Sequence, residues 1–196
     1  MSSTTMTHDP GGKSRPAWPA DSIIKADFSI CDQYRYSLSE IWDQSKPLVL
    51  WVLMNPSVAG LDYSDPTLRK TGQFARTWGY GGQLIGNVHA YRVTDKNKLL
   101  EVDDPVGPDN DKSILQMVSK AKTIILAYGQ PPKRLKNRGQ EVVSLLADHP
   151  GLSYLELAKD GTTPVHPLYL PSNLLPKPYI PVGGKARLVT TGNSNA

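Results

Sequence analysis

The sequence contains a single cysteine, Cys31, among its 196 residues. One cysteine cannot form an internal disulfide, and it provides too few ligands for a zinc or iron–sulfur site built from cysteines. Disulfide-stabilised proteins are typical of oxidising compartments, so this composition favours the cytoplasm. We therefore expect a cytoplasmic protein with no resident metal and no cofactor.

The sequence also lacks a long hydrophobic run. No stretch approaches the roughly 20 apolar residues that a membrane helix requires, and the N-terminus lacks the apolar core of a secretory signal. The length suits one domain. We expect a disordered leader over residues 1–21, one α/β domain over residues 22–182 and a disordered tail over residues 183–196. We expect the protein to be monomeric and not to bind a membrane.

Glycine-rich nucleotide-binding signatures are missing as well. The sequence has neither a P-loop nor the Rossmann glycine motif, and it has no internal repeat. The formal net charge is +4 at pH 7 and the isoelectric point is near 9.1. A balance of this size permits a phosphate-bearing partner without requiring one.

The most informative stretch that is present covers residues 48–67, LVLWVLMNPSVAGLDYSDPT. Its apolar part, residues 48–54, is short and stops at Asn55-Pro56, which predicts a parallel strand buried on both faces. Short polar residues and two prolines follow. Open α/β sheets bind their ligands at this end of the strand, so this loop is the first candidate site.

Strands and helices alternate along the rest of the chain. The predicted core strands cover residues 48–54, 83–91, 122–128 and 152–157, and the predicted helices cover residues 68–78, 111–120 and 137–148. A hairpin with strands over residues 26–31 and 34–41 precedes them. The pattern predicts a three-layer α/β/α domain with a mostly parallel four-stranded sheet plus an N-terminal β-hairpin.

Right-handed crossovers bring the loops after parallel strands to one edge of the sheet. In this sequence those loops carry Asn55-Pro56, Arg92, Gly129-Gln130 and His166. His89 lies inside a predicted strand and is left out of the catalytic set, because strand histidines are usually hydrogen-bonded structural groups. Arg35 and Tyr36 of the hairpin either reach a ligand or, alternatively, have the ordinary roles of a solvated and a packed side chain.

Two charged segments each allow two interpretations. The aspartates of residues 103–111 either hold a divalent cation or cap and shape the loop. The basic residues Lys133, Arg134 and Arg138 precede or begin a predicted helix, where an anion binds readily. They are equally consistent with a solvated basic turn.

Several motifs resemble an uncharacterised bacterial and phage family over residues 27–179. They are Met54-Asn55-Pro56-Ser57-x-Ala59, Asp65-Pro66-Thr67, Gly79-Tyr80, Asn87-x-x-x-Tyr91-Arg92, Asp104-Pro105-Val106-Gly107-Pro108 and His166-Pro167-Leu168-Tyr169-Leu170. The order of Asn-Pro, Asn-Val before Arg, Ala-x-Gly and His-Pro is also similar to that of the uracil-DNA glycosylase superfamily. That resemblance implies that Asn55 positions the attacking water, that His166 stabilises the departing base and that Gly129 lies near the DNA or base.

The resulting hypothesis is a glycosidase acting on DNA or a nucleotide. Its predicted catalytic residues are Asn55, His166, Asp62 and Asp65; its predicted substrate-binding residues are Pro56, Ser57, Tyr80, Asn87, Arg92, Gly129, Gln130 and Tyr169; and its predicted phosphate-binding residues are Lys133, Arg134 and Arg138. The alternatives are a non-catalytic nucleic-acid or nucleotide-binding module, a metal-assisted hydrolase that uses the Asp-rich loops, and an interaction scaffold.

Overall fold

The computed structural model describes residues 16–57 and 59–181. The predicted leader and tail therefore lie largely outside the described residues. Within the leader region, the Pro16 carbonyl accepts a hydrogen bond from the Ser64 N–H at 2.9 Å. The Trp18 indole Nε1 donates to the Gly60 carbonyl at 3.0 Å. The segment that precedes the first strand is thus attached to the loop that contains residues 60–64.

A seven-stranded mixed sheet forms the centre of the molecule. Its strands in chain order are β1 (Ile23–Phe28), β2 (Arg35–Ile41), β3 (Leu48–Leu53), β4 (Gly82–Asn87), β5 (Ala121–Leu126), β6 (Leu152–Tyr154) and β7 (Lys177–Pro178). Their spatial order is β1-β2-β4-β3-β5-β6-β7. The four inner strands β4, β3, β5 and β6 are parallel, and β1, β2 and β7 continue the sheet through antiparallel pairs.

The prediction of a mixed α/β fold is confirmed, but the predicted four-stranded sheet with a separate hairpin is wrong. The hairpin strands β1 and β2 belong to the same sheet, because β2 pairs with β4 from Leu38 opposite Ile85 to Ile41 opposite Gly82. A two-residue strand, β7, extends the other side. Both additions arise from contacts between distant segments, which the local sequence pattern does not encode.

Three α-helices connect the parallel strands: α1 (Pro66–Thr77), α2 (Asn110–Val118) and α3 (Arg138–Leu146). Asp65 caps α1, since its carboxylate accepts the Leu68 N–H at 2.8 Å, and Pro66 occupies the first helical position. In the described residues, no helix is both long and apolar enough to cross a membrane.

The side chains of β3 alternate between two hydrophobic clusters, as those of a strand buried on both faces must. Leu50 and Val52 belong to the cluster that contains residues of α2 and α3, whereas Val49, Trp51 and Leu53 belong to the cluster that contains residues of α1. The helices therefore cover opposite faces of the sheet around β3. The core follows directly from the apolar run that the sequence shows.

Gly81, immediately before β4, is required by a close backbone approach. A Cβ atom at this position would lie 1.9 Å from the Asp43 carbonyl oxygen. We expect Gly81→Ala to lower the free energy of unfolding by about 3 kcal/mol, because backbone must move to admit the methyl group. Urea denaturation measures this change. Gly60→Ala is the matched control, since its Cβ would meet nothing closer than 4.0 Å; an equal loss of stability in the two variants would contradict the steric explanation.

Candidate functional site

A crevice is expected where neighbouring parallel strands send their connections to opposite faces of the sheet. The adjacent strands β3 and β5 satisfy this condition, because β3 leads to α1 on one face and β5 leads to α3 on the other. The loops that follow them, residues 54–65 and 127–137, therefore flank the position at which this topology places a crevice. Asn55 and Gly129 lie in these two loops.

Asn55 is half-buried at the end of β3, and hydrogen bonds to the loop that follows β4 fix its side chain. Its Nδ2 donates to the Val93 carbonyl at 2.6 Å and to the Pro56 carbonyl at 3.1 Å. The Val93 N–H in turn donates to the Pro56 carbonyl at 3.2 Å. These contacts fix the carboxamide and use its donor, and among the described residues no group donates to Asn55 Oδ1.

Asp65 connects the first loop to α1. One oxygen accepts the Leu68 N–H of the helix cap, and the other accepts the Ser57 hydroxyl at 2.7 Å. Asp65 is only 9% exposed, so these hydrogen bonds satisfy a nearly buried carboxylate. Asp62, in contrast, is exposed on the same loop.

His166 is half-buried and lies against Gly129. Gly129 has a φ of +67°, and a Cβ at this position would lie 3.2 Å from the His166 Cβ. The Gly129 N–H also donates to the Pro164 carbonyl at 2.9 Å. The late histidine loop is therefore held on the loop that follows β5.

The protonation of His166 is set by burial and by two charged neighbours. Burial lowers its pKa, the Asp65 carboxylate opposes this effect, and the Lys96 ammonium adds to it. The imidazole is therefore neutral at pH 7. Its Nδ1 accepts the Leu168 N–H at 3.4 Å, so Nε2 carries the proton and is the donor. The Asp65 carboxylate of the first loop is therefore one of the charges that act on the His166 imidazole.

Two further cations lie near His166 and Asp65: Lys96, which was not among the predicted residues, and Arg35, for which contact with a ligand was one of two open interpretations. Lys96 follows β4, and its Nζ donates to the Gln130 carbonyl at 2.6 Å. Arg35, at the start of β2, is 2% exposed and donates to the Ala59 carbonyl at 2.6 Å. Burial lowers the pKa of Arg35 to about 10, with Asp65 opposing the shift, so the guanidinium stays charged at neutral pH. Arg35 belongs to the hairpin and Lys96 to the loop after β4. Only the tertiary fold brings these two cations near His166 and Asp65, so the local sequence could not predict their positions.

Three other predicted substrate-binding residues lie along the loops after β4 and β5. The Arg92 guanidinium stacks on Phe28 at 4.8 Å and pairs with Asp32 at 2.6 Å, so it is held by the hairpin. Asn87 is 1% exposed, and neither polar atom of its side chain has a partner in the described residues. Gln130 is exposed, and its Nε2 donates to Asp160 Oδ2 at 3.1 Å.

Of the remaining predicted residues, Lys133 and Arg134 belong to the loop after β5 that flanks the crevice, whereas Tyr80 and Arg138 are held elsewhere. Tyr80 precedes β4, at the opposite edge of the sheet, and its hydroxyl donates to Thr123 Oγ1 at 2.6 Å. Tyr169 is 92% exposed. Lys133 and Arg134 are exposed in a short 3-10 turn after β5. Arg138 is buried, so a phosphate-binding role at the surface does not fit its position.

Arg138 instead supports a buried polar cluster beneath the loop that follows β4. Its Nε donates to the Val88 carbonyl at 2.8 Å, and its terminal nitrogens pair with Asp111. Asn110 donates to the Asn87 and Val88 carbonyls at 3.0 and 3.3 Å. His89 is fully buried with both ring nitrogens unpaired among the described residues. The expectation that His89 is a hydrogen-bonded residue inside a strand is therefore not met: it lies just beyond β4, and its ring has no partner among the described residues.

The Asp-rich loop before α2 is shaped by its own hydrogen bonds. Asp104 Oδ1 accepts the Val106 and Gly107 N–H groups at 3.0 Å each, which is the turn-forming role. Within residues 16–57 and 59–181, no group of three or more His, Cys, Asp or Glu side chains is arranged to hold a metal ion. The alternative of a metal-assisted hydrolase therefore gains no support from the described aspartates.

Comparison with known proteins places the chain in a family. The family model described as "Protein of unknown function (DUF1643)" matches residues 35–168, more than half of the chain, so the chain belongs to this family. No curated protein and no solved structure matches it. The matched region includes both loops that flank the crevice and ends two residues beyond His166.

Gly129→Ala tests the contact between the loop after β5 and His166. The substitution places a side chain at positive φ, which costs about 1–2 kcal/mol, and pushes on the His166 Cβ. We expect Gly129→Ala to have a lower melting temperature and a changed His166 pKa. NMR titration of the imidazole measures this pKa. Gly161→Ala is the matched control: its φ is +70°, but its Cβ would meet nothing within 4 Å. A His166 pKa unchanged in Gly129→Ala, or changed equally in both variants, would contradict this contact.

His89 gives the fold a sensitivity to acid. Burial, reinforced by Arg138, lowers its pKa from 6.5 to about 4. Above the pKa that His89 has in the unfolded chain, the imidazole is neutral in both the folded and the unfolded protein. Below that pKa the imidazole binds a proton in the unfolded chain but stays neutral in the folded protein, which favours unfolding. We expect the free energy of unfolding to fall by about 3 kcal/mol as pH falls from 6.5 to 4 through this group. Urea denaturation across this range should show a shallower fall for His89→Gln; identical pH profiles would exclude the effect.

Proposed function

We propose that this member of the DUF1643 family is a glycosidase that hydrolyses a base–sugar bond in DNA or a nucleotide, with a three-layer arrangement of the uracil-DNA glycosylase type. The observation that carries the proposal is the packing of His166 against Gly129 in the loop after β5, where a Gly129 Cβ would lie 3.2 Å from the His166 Cβ. The Asp65 carboxylate of the loop after β3 also opposes the lowering of the His166 pKa. The fixed carboxamide acceptor, Asn55, lies in the loop after β3, and the neutral imidazole donor, His166, packs against the loop after β5. Hydrolysis of an N-glycosidic bond needs both kinds of group.

Asn55 is assigned to the attacking water. Its Nδ2 is already committed to the Val93 and Pro56 carbonyls, so its Oδ1 is the atom that accepts a hydrogen from water. Accepting that hydrogen turns an oxygen lone pair of the water toward the sugar. Because both the amide and its supporting loop are fixed, the water is oriented before the reaction begins.

His166 is assigned to the departing base. As the bond between the sugar C1′ and the base nitrogen breaks, the bonding electrons move onto the base, and negative charge develops on its oxygen. The Nε2–H of the neutral imidazole donates to that oxygen. One donor of this kind in a site that excludes water lowers the barrier by about 3 kcal/mol.

Asp65 is assigned to the positive charge that develops on the sugar. Its carboxylate is nearly buried and already accepts from Leu68 and Ser57, so its position does not change during the reaction. The water oxygen then bonds to C1′, the water releases a proton to solvent, and the base nitrogen takes up a proton. The products are a free base and a sugar that carries a hydroxyl group at C1′.

The substrate's phosphates are assigned to cations around the crevice. Lys96 is held at the Gln130 carbonyl close enough to His166 to affect its pKa, and Lys133 and Arg134 are exposed on the next turn. Asn87, Pro56 and Gln130 contribute to the adjoining walls. These cations make binding dependent on salt, as neutralised phosphates release their counterions.

Base release tests this function directly. Purified protein is incubated with single- and double-stranded oligonucleotides that contain uracil, a modified pyrimidine or hypoxanthine, and with the free nucleotides, and released base is measured by chromatography. We expect release from at least one substrate, reduced about 10²–10³-fold in His166→Ala by loss of the donor, and about 10²-fold or more in Asn55→Ala. Activity should persist in the presence of a chelator.

Matched controls separate chemistry from folding. His149 is half-buried at the opposite edge of the sheet, and its Nδ1 accepts the Gly151 N–H, as His166 Nδ1 accepts that of Leu168. His149→Ala should therefore retain base release, as should Asn137→Ala, which removes an exposed amide with no capping hydrogen bond. Binding without release from any substrate would favour the non-catalytic binding module, and loss of activity with the chelator would favour the metal-assisted hydrolase.

A further inference from the structure

A second concave surface lies along α1, outside the crevice. This groove has a volume of about 520 Å³ and is lined by the segment before β1, by the residues before α1, by the helix itself and by Leu168. The helix contributes Arg69, Lys70 and Arg76 to it. None of the predicted site residues lies in this groove, and sequence analysis gave these three cations no role.

The groove presents positive charge that the protein leaves largely unneutralised. Arg69 is exposed, and among the described residues its guanidinium takes part in no hydrogen bond or ion pair. Lys70 donates to the neutral Ser172 hydroxyl at 2.6 Å. Only Arg76 has a close carboxylate partner, Asp21, at 2.9 Å. Two cations without a carboxylate partner therefore line the same cavity.

The one acidic residue in the lining does not cancel this charge. Glu40 is 3% exposed, and its oxygens accept the Gln83 Nε2 at 2.7 Å and the Ser22 hydroxyl at 2.9 Å. One of these oxygens also lies 4.0 Å from the Arg76 guanidinium, so Glu40 offsets Arg76 and leaves Arg69 and Lys70 without a carboxylate. Gly72 lies between the groove and the Glu40 carboxylate: a Cβ at Gly72 would lie 3.0 Å from Gln83 Nε2 and 3.3 Å from Glu40 Oε2. The carboxylate is thus covered by protein donors, while the basic groups face the groove.

The position of the groove suits a strand whose phosphates lie along α1 and lead to the crevice. Arg69 and Arg76 are two helical turns apart, about 10 Å along the axis, so the cations are spread along the groove. At one end of the groove lie Ser64 and Pro66, on either side of Asp65. Leu168, whose N–H donates to His166 Nδ1, lines the groove as well.

An aromatic side chain is also fixed in the lining. Trp18 is half-buried, and its Nε1–H is committed to the Gly60 carbonyl, so the ring is held in one orientation. Bases of a single strand stack on such rings without regard to sequence. Cations beside a fixed aromatic ring are the composition expected of a single-strand binding groove.

We propose that the α1 groove holds the phosphate backbone of a single-stranded DNA substrate, with Arg69 and Lys70 on the phosphates. This assignment rests on the proposed function for the identity of the strand, and it makes DNA, rather than a free nucleotide, the substrate. The groove binds the part of the strand outside the crevice, while Asn55 and His166 act on the extruded base. Affinity for the strand and chemistry at the base therefore depend on different residues.

The salt dependence of DNA binding tests the groove. Anisotropy of a fluorescein-labelled single-stranded oligonucleotide is measured over a range of NaCl concentrations for the parent protein, for Arg69→Gln/Lys70→Gln and for Lys112→Gln/Lys120→Gln. The control pair is exposed in the α2 region and loses the same charge. We expect the groove variant to bind about tenfold more weakly, with a slope of log K against log salt that is shallower by about 1.4, since each single-strand phosphate contact contributes about 0.7. The control should match the parent.

The Lys70 ammonium also lies 5.1 Å from the Phe74 ring centroid, so its replacement could disturb packing as well as charge. A second variant therefore leaves Lys70 in place. Arg69→Gln alone should reduce the slope by about 0.7 with an unchanged melting temperature. An unchanged slope in both groove variants, an equal change in the control pair, or no binding of the oligonucleotide by the parent protein would each overturn the assignment.

A kinetic comparison keeps this proposal separate from the proposed function. With base release established, Arg69→Gln/Lys70→Gln should lower kcat/KM for the oligonucleotide about tenfold by raising KM, and leave any hydrolysis of a free nucleotide unchanged. Equal effects on both substrates would overturn the groove assignment. Failure of base release by the parent protein would overturn the proposed function alone, because the binding experiment does not require catalysis.

Discussion

The backbone of β3 must find hydrogen-bond partners along both of its edges, because the strand is buried and no solvent reaches it. It pairs with β4 on one side and β5 on the other, and the pairing continues beyond the strand ends: the Val88 and His89 N–H groups donate to Leu53 and Met54 carbonyls. The Val93 N–H then donates to Pro56. The shape of the Asn-Pro loop is thus a continuation of the sheet ladder, which is why Asn55 has one defined orientation.

The parts of the fold that local sequence determines were predicted well. An apolar run that is too short for a helix indicates a buried strand, and residues 48–54 and 122–128 correspond closely to β3 and β5. The Asp-Pro pair at residues 65–66 predicted the start of α1 by its capping chemistry. The sheet of seven strands was not predictable in this way, because β2 and β7 join it through partners that are distant in sequence.

In the candidate site, too, the features that depend on local sequence were predicted and those that depend on tertiary contacts were not. Sequence order and strand ends indicated the residues whose backbone flanks the crevice, such as Asn55 and Gly129. The exposure and pairing of long side chains depend on tertiary surroundings that the sequence does not show. Arg138 was expected at the surface but is buried. Arg35 was expected in solvent if it bound no ligand, and it is buried as well. The alternation of β2 gave no signal for Arg35, since the buried side chains of Tyr36, Leu38 and Glu40 alternate on the other face of the strand.

The two outer strands of the sheet have a further consequence. β7 consists of two residues and ends in Pro178, which has no N–H to offer, while the outer strand β1 presents the exposed side chains of Lys25 and Asp27. Short, proline-containing or charged borders resist the addition of a strand from another molecule. A wide sheet with a strongly apolar centre is thereby protected against fibrillar growth at high concentration, and this protection is independent of any activity at the crevice.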